Sequence, residues 1–72
     1  MAKEYSFRKG WNQVRRKDTR KVKAEIMLVF GISARMSWLR HLNGLVEPKI
    51  SEYNKINSIF RKYGITEVWG EN

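Results

Sequence analysis

Ser33, Ala34, Ser37, Arg40 and His41 fall within fourteen residues, Gly31 to Gly44 (GISARMSWLRHLNG), at spacings that one helix can present together. Their chemistry is recognition, because hydroxyls, an imidazole and a guanidinium can meet the edges of bases in a duplex groove. Arg40 is the best candidate for a bidentate contact to guanine O6 and N7, while Ser33 and Ser37 can make less selective hydrogen bonds. A second set suits phosphate. Thr19, Arg20, Lys21 and Lys23 surround the start of a helix, where free backbone N–H groups and the helix dipole favour an anion. Arg15, Arg16 and Lys49 join them by charge, and Arg35 sits where a long side chain can swing to a phosphate.

Other chemistry has little to work with. His41 is the only histidine and there is no cysteine, so neither a zinc site nor a disulfide is expected. No Gly-rich phosphate loop with a following Lys-Ser/Thr is present, and Glu25, Glu47, Glu52 and Glu67 are scattered along the chain. The expectation is a protein that is not an enzyme, with no cofactor, metal or small-molecule ligand. Trp11, Trp38, Phe60 and Tyr63 fall on apolar stripes and read as core, which argues against a stacking platform for single strands.

Charge is distributed unevenly. Residues 1–23 carry nine Lys or Arg against Glu4 and Asp18, a net of +7, within a total of +8. The remaining residues carry six against five. Such asymmetry points to a polyanion, since each phosphate neutralised releases counterions from the duplex. The longest apolar run, Ile26 to Phe30, is far short of the roughly 20 residues that span a bilayer. A soluble, unprocessed, cytoplasmic protein is expected, with no membrane partner.

Seventy-two residues allow one small domain, which buries only about 60% of the surface its unfolded chain exposes. Phe7, Trp11 and Val14 recur at helical spacing and predict a first helix over 6–16, with Gly10 inside it at a cost of about 1 kcal/mol. Asp18 or Thr19 can cap a second helix to Phe30, whose apolar stripe is Val22, Ile26, Val29 and Phe30. Gly31 ends it, Ile32 turns inward and Ser33 can cap the third helix, which Asn43 and Gly44 stop. On that helix Trp38, Leu39 and Leu42 share one side, while Ser33, Ser37, Arg40 and His41 lie around the other. Ser51 can cap a fourth helix to Tyr63, with Gly64 as terminator. The tail from Ile65 to Trp69 reads as a short extended segment lying over the core or pairing with the region of Tyr5. The fold expected is therefore all-α, a four-helix domain over 1–72 with a helix-turn-helix at about 20–44.

Phe30-Gly31-Ile32-Ser33, the Leu42-Asn43-Gly44 end, Pro48 and the run Ile56, Phe60, Tyr63-Gly64-Ile65 together resemble the phage-repressor helix-turn-helix family of Cro and lambda-repressor type. The likeness spans roughly residues 20 to 65. It implies that the helix ending at Gly31 packs across the phosphate backbone and that the next one enters the major groove. Met27 stands where the family usually has a small residue, and Ser37 where it has a branched apolar one. Trp38 would take that second role if the turn were one residue longer. The resemblance implies transcriptional regulation on a phage or other mobile element by promoter occlusion, with double-stranded DNA as partner and a homodimer left open. Two other classes fit the charge: a protein-interaction module, such as an antitoxin or a recombination accessory factor, and an RNA-binding protein.

Overall fold

A computed structural model describes residues 4–70, so Lys3 of the basic segment lies outside it. Four helices follow one another: α1 (Arg8–Trp11), α2 (Thr19–Phe30), α3 (Arg35–Leu42) and α4 (Ile50–Lys62), with a 3-10 turn at Arg16–Asp18 before α2. Among the described residues there is no strand, and no helix is long and apolar enough to cross a membrane.

The inward stripe of α2 forms as the spacing requires. Val22 and Ile26 are fully buried, with Met27, Val29 and Phe30 packed against the core. The helix ends where Gly31 adopts φ 66°, ψ 35°. There the Gly31 N–H donates to the Leu28 carbonyl and the Ile32 N–H to the Met27 carbonyl, the paired closure of a Schellman motif. The chain then needs Gly31 to Ala34 to reach α3.

Helix α3 starts later than the hydroxyl of Ser33 suggests. Its N-cap is Ala34, which has no side-chain cap bond, and Ser33 belongs to the connection. The extra residue brings Trp38 to 4% exposure and Leu42 to 3%, one helical turn apart on the same face. Helix α4 departs in the opposite sense and starts earlier. Its N-cap is Lys49 rather than Ser51, because the Glu52 carboxylate accepts the Lys49 backbone N–H at 2.9 Å and satisfies the free donor.

The first helix is far shorter than its apolar spacing predicts. Gln13 explains the stop: its side-chain Nε2 donates to the Lys9 carbonyl, and its backbone N–H turns to the Gly10 carbonyl in a tighter closure. The same Nε2 also reaches the Glu67 carbonyl at 2.8 Å. The last segment therefore competes directly with helix propagation. The Lys9 and Gly10 N–H groups donate to the Gly70 and Val68 carbonyls, and the Gly70 N–H donates to that of Ser6. A Cβ on Gly10 would stand 3.0 Å from Val68 Cα, so this close approach requires glycine.

Phe7, at the N-cap of α1, is the centre of the core. Its ring meets those of Phe30, Trp38, Phe60 and Trp69 at centroid distances of 5.6–6.2 Å. One side chain thus contacts α2, α3, α4 and the last segment. Trp69 is fixed in turn by stacking on Tyr53 at 4.5 Å and by donating from Nε1 to Asn57 Oδ1.

The end of α3 is fastened from the same N-terminal segment. Ser6, 1% exposed, donates from Oγ to the Leu42 carbonyl at 2.8 Å, and Arg8 donates from Nε and Nη2 to Asn43 Oδ1. Gly44 has φ 79°, and a Cβ there would lie 2.6 Å from the Ser6 backbone nitrogen. At Gly31 the same substitution would meet nothing within 4 Å. Gly44→Ala is accordingly expected to lower the thermal midpoint further than Gly31→Ala, where only the left-handed strain of about 1–2 kcal/mol, or roughly 4–16 °C, applies. Equal midpoints for the two variants in a calorimetric scan would contradict this packing.

On the opposite side Glu25 joins α2 to α4, accepting hydrogen bonds from Lys62 Nζ and from Tyr63 Oη at 3.0 Å. The Lys62 ammonium, followed by the Tyr63 hydroxyl, holds the Glu25 carboxyl below its usual range despite partial burial. A lowered folded-state value contributes stability above the ordinary carboxylate pKa and loses it as pH falls through the folded one. The stability gap between the protein and its Glu25→Gln variant should therefore be constant near neutrality and close below about pH 4. Denaturant midpoints across that range test this, and a gap that persists unchanged into strong acid would refute it.

Candidate nucleic-acid interface

Helices α2 and α3, joined by Gly31 to Ala34, carry most of the recognition residues read from the sequence. Ser33, Ala34, Arg35 and Arg40 are exposed, and Ser37 is half-buried. Helix α3 carries no acidic residue. Arg40 makes no ion pair and no side-chain hydrogen bond among the described residues, so its guanidinium is free to meet an acceptor.

His41 sits differently from its place on the sequence wheel. The wheel already turns Trp38 inward, and position 41, three residues on and about 60° away, lies at the edge of that same face. The His41 ring lies 4.2 Å from that of Phe30, and Nδ1–H donates to the Ser37 carbonyl at 2.8 Å. The imidazole orients α3 against the end of α2, with one nitrogen already committed.

The phosphate candidates divide into two groups. Arg15, Arg16, Arg20 and Lys21 are exposed on the 3-10 turn and the start of α2. Lys17, which sequence reasoning left among the general charge, is exposed between them. None of the five pairs with a carboxylate among the described residues. Thr19 is half-buried and donates from Oγ1 to the Arg16 carbonyl, so its hydroxyl proton holds the entry into α2.

The second group is a groove. Lys23, Met27, Ser33, Arg35, Trp38 and Leu39 line an open cleft of about 480 Å³ between α2 and the start of α3. Lys23 Nζ stands 5.3 Å from the Trp38 ring centroid, a cation–π contact that fixes the ammonium at the groove wall. Arg35 contributes a second cation to the same cleft. Lys49 is exposed at the start of α4, separate from this groove.

Two N-terminal cations serve other ends. Arg8 is tied to Asn43, and Lys9 pairs with Glu67 at 3.0 Å. Charge counting could not separate these from free cations, because both partners are distant in sequence. Met36 was also missed. It is 67% exposed and lies four residues before Arg40, so the two share one face of α3. That spacing is visible in the sequence. A solvent-exposed methionine, however, looks the same there as a core one.

Among the described residues no group of three or more His, Cys, Asp or Glu side chains could hold a metal ion. In comparisons with protein-family models, curated proteins and solved structures, nothing matches this chain.

Proposed function

We propose that this protein binds double-stranded DNA with sequence preference, through a helix-turn-helix formed by α2, the Gly31–Ala34 turn and α3. Its role is transcriptional regulation by occlusion of a promoter on a phage or other mobile element. The observation that carries the reading is the outer face of α3. Arg40 is exposed there, with no ion-pair partner among the described residues, on an acid-free helix whose first turn lines a groove with two cations, and five more are exposed on the 3-10 turn and the start of α2. Phosphate contacts orient such a helix, and base-edge contacts supply the preference. Ser33, Ala34, Ser37 and Arg40 take the second task. Arg15, Arg16, Lys17, Arg20, Lys21, Lys23 and Arg35 take the first, with Lys49 as an outlying contact.

Titration of a duplex, a single strand and a structured RNA at several salt concentrations, followed by tryptophan fluorescence, tests the reading. The duplex should bind tightest, with log K falling linearly in log salt at about 0.9 per phosphate neutralised. Equal, weak and purely salt-driven binding to all three would remove specific duplex recognition. A protein-docking module is the second reading, favoured by Leu28 and Ile50, which are 83% and 82% exposed. Single exposed apolar side chains are common on soluble proteins, so they weigh less than the cation cluster.

A further inference from the structure

We infer that Met36 reads the 5-methyl group of a thymine, one or two base pairs from the base that Arg40 contacts. This rests on the duplex-binding reading and adds to it a second base determinant of opposite character. Three observations carry it. Met36 is a large apolar side chain left 67% exposed on a helix where Trp38 and Leu42 are buried and Leu39 is half-buried. It stands four residues before Arg40, about 40° away around the helix axis and about 6 Å along it. The surrounding surface is basic, with Arg35 and Arg40 exposed and no acid on α3, so the occupant of this face is a polyanion rather than an apolar protein surface.

In the major groove the one apolar group on a base edge is the thymine C5-methyl. Methionine suits it, being unbranched, polarizable and able to reach through three rotatable bonds. With base pairs stacked about 3.4 Å apart, a 6 Å separation along α3 spans one to two steps. The preferred site therefore pairs a guanine, held by Arg40, with a nearby thymine, held by Met36. RNA lacks that methyl group, so the same contact favours DNA.

The test uses the full protein and duplexes recovered by it from a random pool. Each thymine near the guanine is replaced singly by deoxyuridine, which deletes the methyl and keeps the hydrogen-bonding pattern. At one thymine the wild type should lose about fourfold in affinity, the equivalent of ~0.8 kcal/mol for one buried carbon. Met36→Ala should show the loss already and respond no further to uracil, whereas Met36→Leu should keep the uracil penalty. An exposed position makes both variants foldable, and their thermal midpoints should match the wild type. A uracil penalty equally large in Met36→Ala, or none at any thymine, would overturn the inference while leaving duplex binding intact. If the pool yields no enriched duplex, the duplex reading fails and this inference fails with it.

Discussion

Phe7→Ala is expected to abolish the cooperative folding transition, or to lower its midpoint so far that a large unfolded fraction is present at room temperature. Deleting a fully buried phenylalanine ring costs about 3–5 kcal/mol through lost transfer energy and the cavity left behind. A 72-residue domain at roughly 0.05–0.15 kcal/mol per residue has about 4–11 kcal/mol in all. The loss is therefore a large share of the total. Relaxation cannot readily fill the gap, because the ring meets four aromatic neighbours drawn from three helices and the last segment. Arg15→Ala, at an exposed position without an ion-pair partner, should shift stability by no more than about 0.5 kcal/mol. Far-UV circular dichroism against temperature compares the two. A Phe7→Ala protein with an unshifted transition would show that the chain does not close around this residue.

The second large effect concerns binding, where two arginine and lysine substitutions should differ in kind. Arg40→Ala is expected to relax sequence preference by about 5- to 150-fold, the equivalent of ~1–3 kcal/mol for a bidentate base contact. Lys21→Ala should weaken binding to every duplex alike and reduce the salt slope by about 0.9. Both residues are exposed and have no ion-pair partner among the described residues, so neither change should disturb the fold. Binding constants for a preferred and a scrambled duplex at several salt concentrations separate the two outcomes. If Arg40→Ala lowered both constants equally, Arg40 would be a phosphate contact and the reading face would have to be redrawn.

Much of the helical order was legible because it depends on near neighbours. The stripe Val22, Ile26, Val29 and Phe30 and the glycines at positions 31 and 44 place α2 and the end of α3 with no knowledge of the rest of the chain. What failed did so because of contacts that residue type alone does not show. The first helix shrank because Gln13 and the N–H groups of Lys9 and Gly10 are engaged by residues 67–70, more than fifty positions away. Ser33 and Ser51 are good capping residues by type. Yet Ala34 and Lys49 hold the cap positions, because burial of Trp38 and the reach of the Glu52 carboxylate set the helix starts.

The candidate site shows the same division. Ser33, Ala34, Arg35 and Arg40 were found by spacing alone and are exposed together. His41, which the wheel puts on the polar side, instead packs its ring on Phe30 at the edge of the face that buries Trp38. Arg8 and Lys9 looked like free charge until their partners Asn43 and Glu67 were brought beside them by the fold. Charge counts mark a basic segment, but they cannot say which of its cations the fold itself engages.

The most direct measurement of the central claim is selection of bound duplexes from a random pool by the wild-type protein, with Arg40→Ala run in parallel. Duplex recognition by the face of α3 predicts a short enriched motif containing a guanine, and loss of that guanine's enrichment in the variant. A wild-type pool that stays random through successive rounds, with binding that depends only on salt, would contradict it.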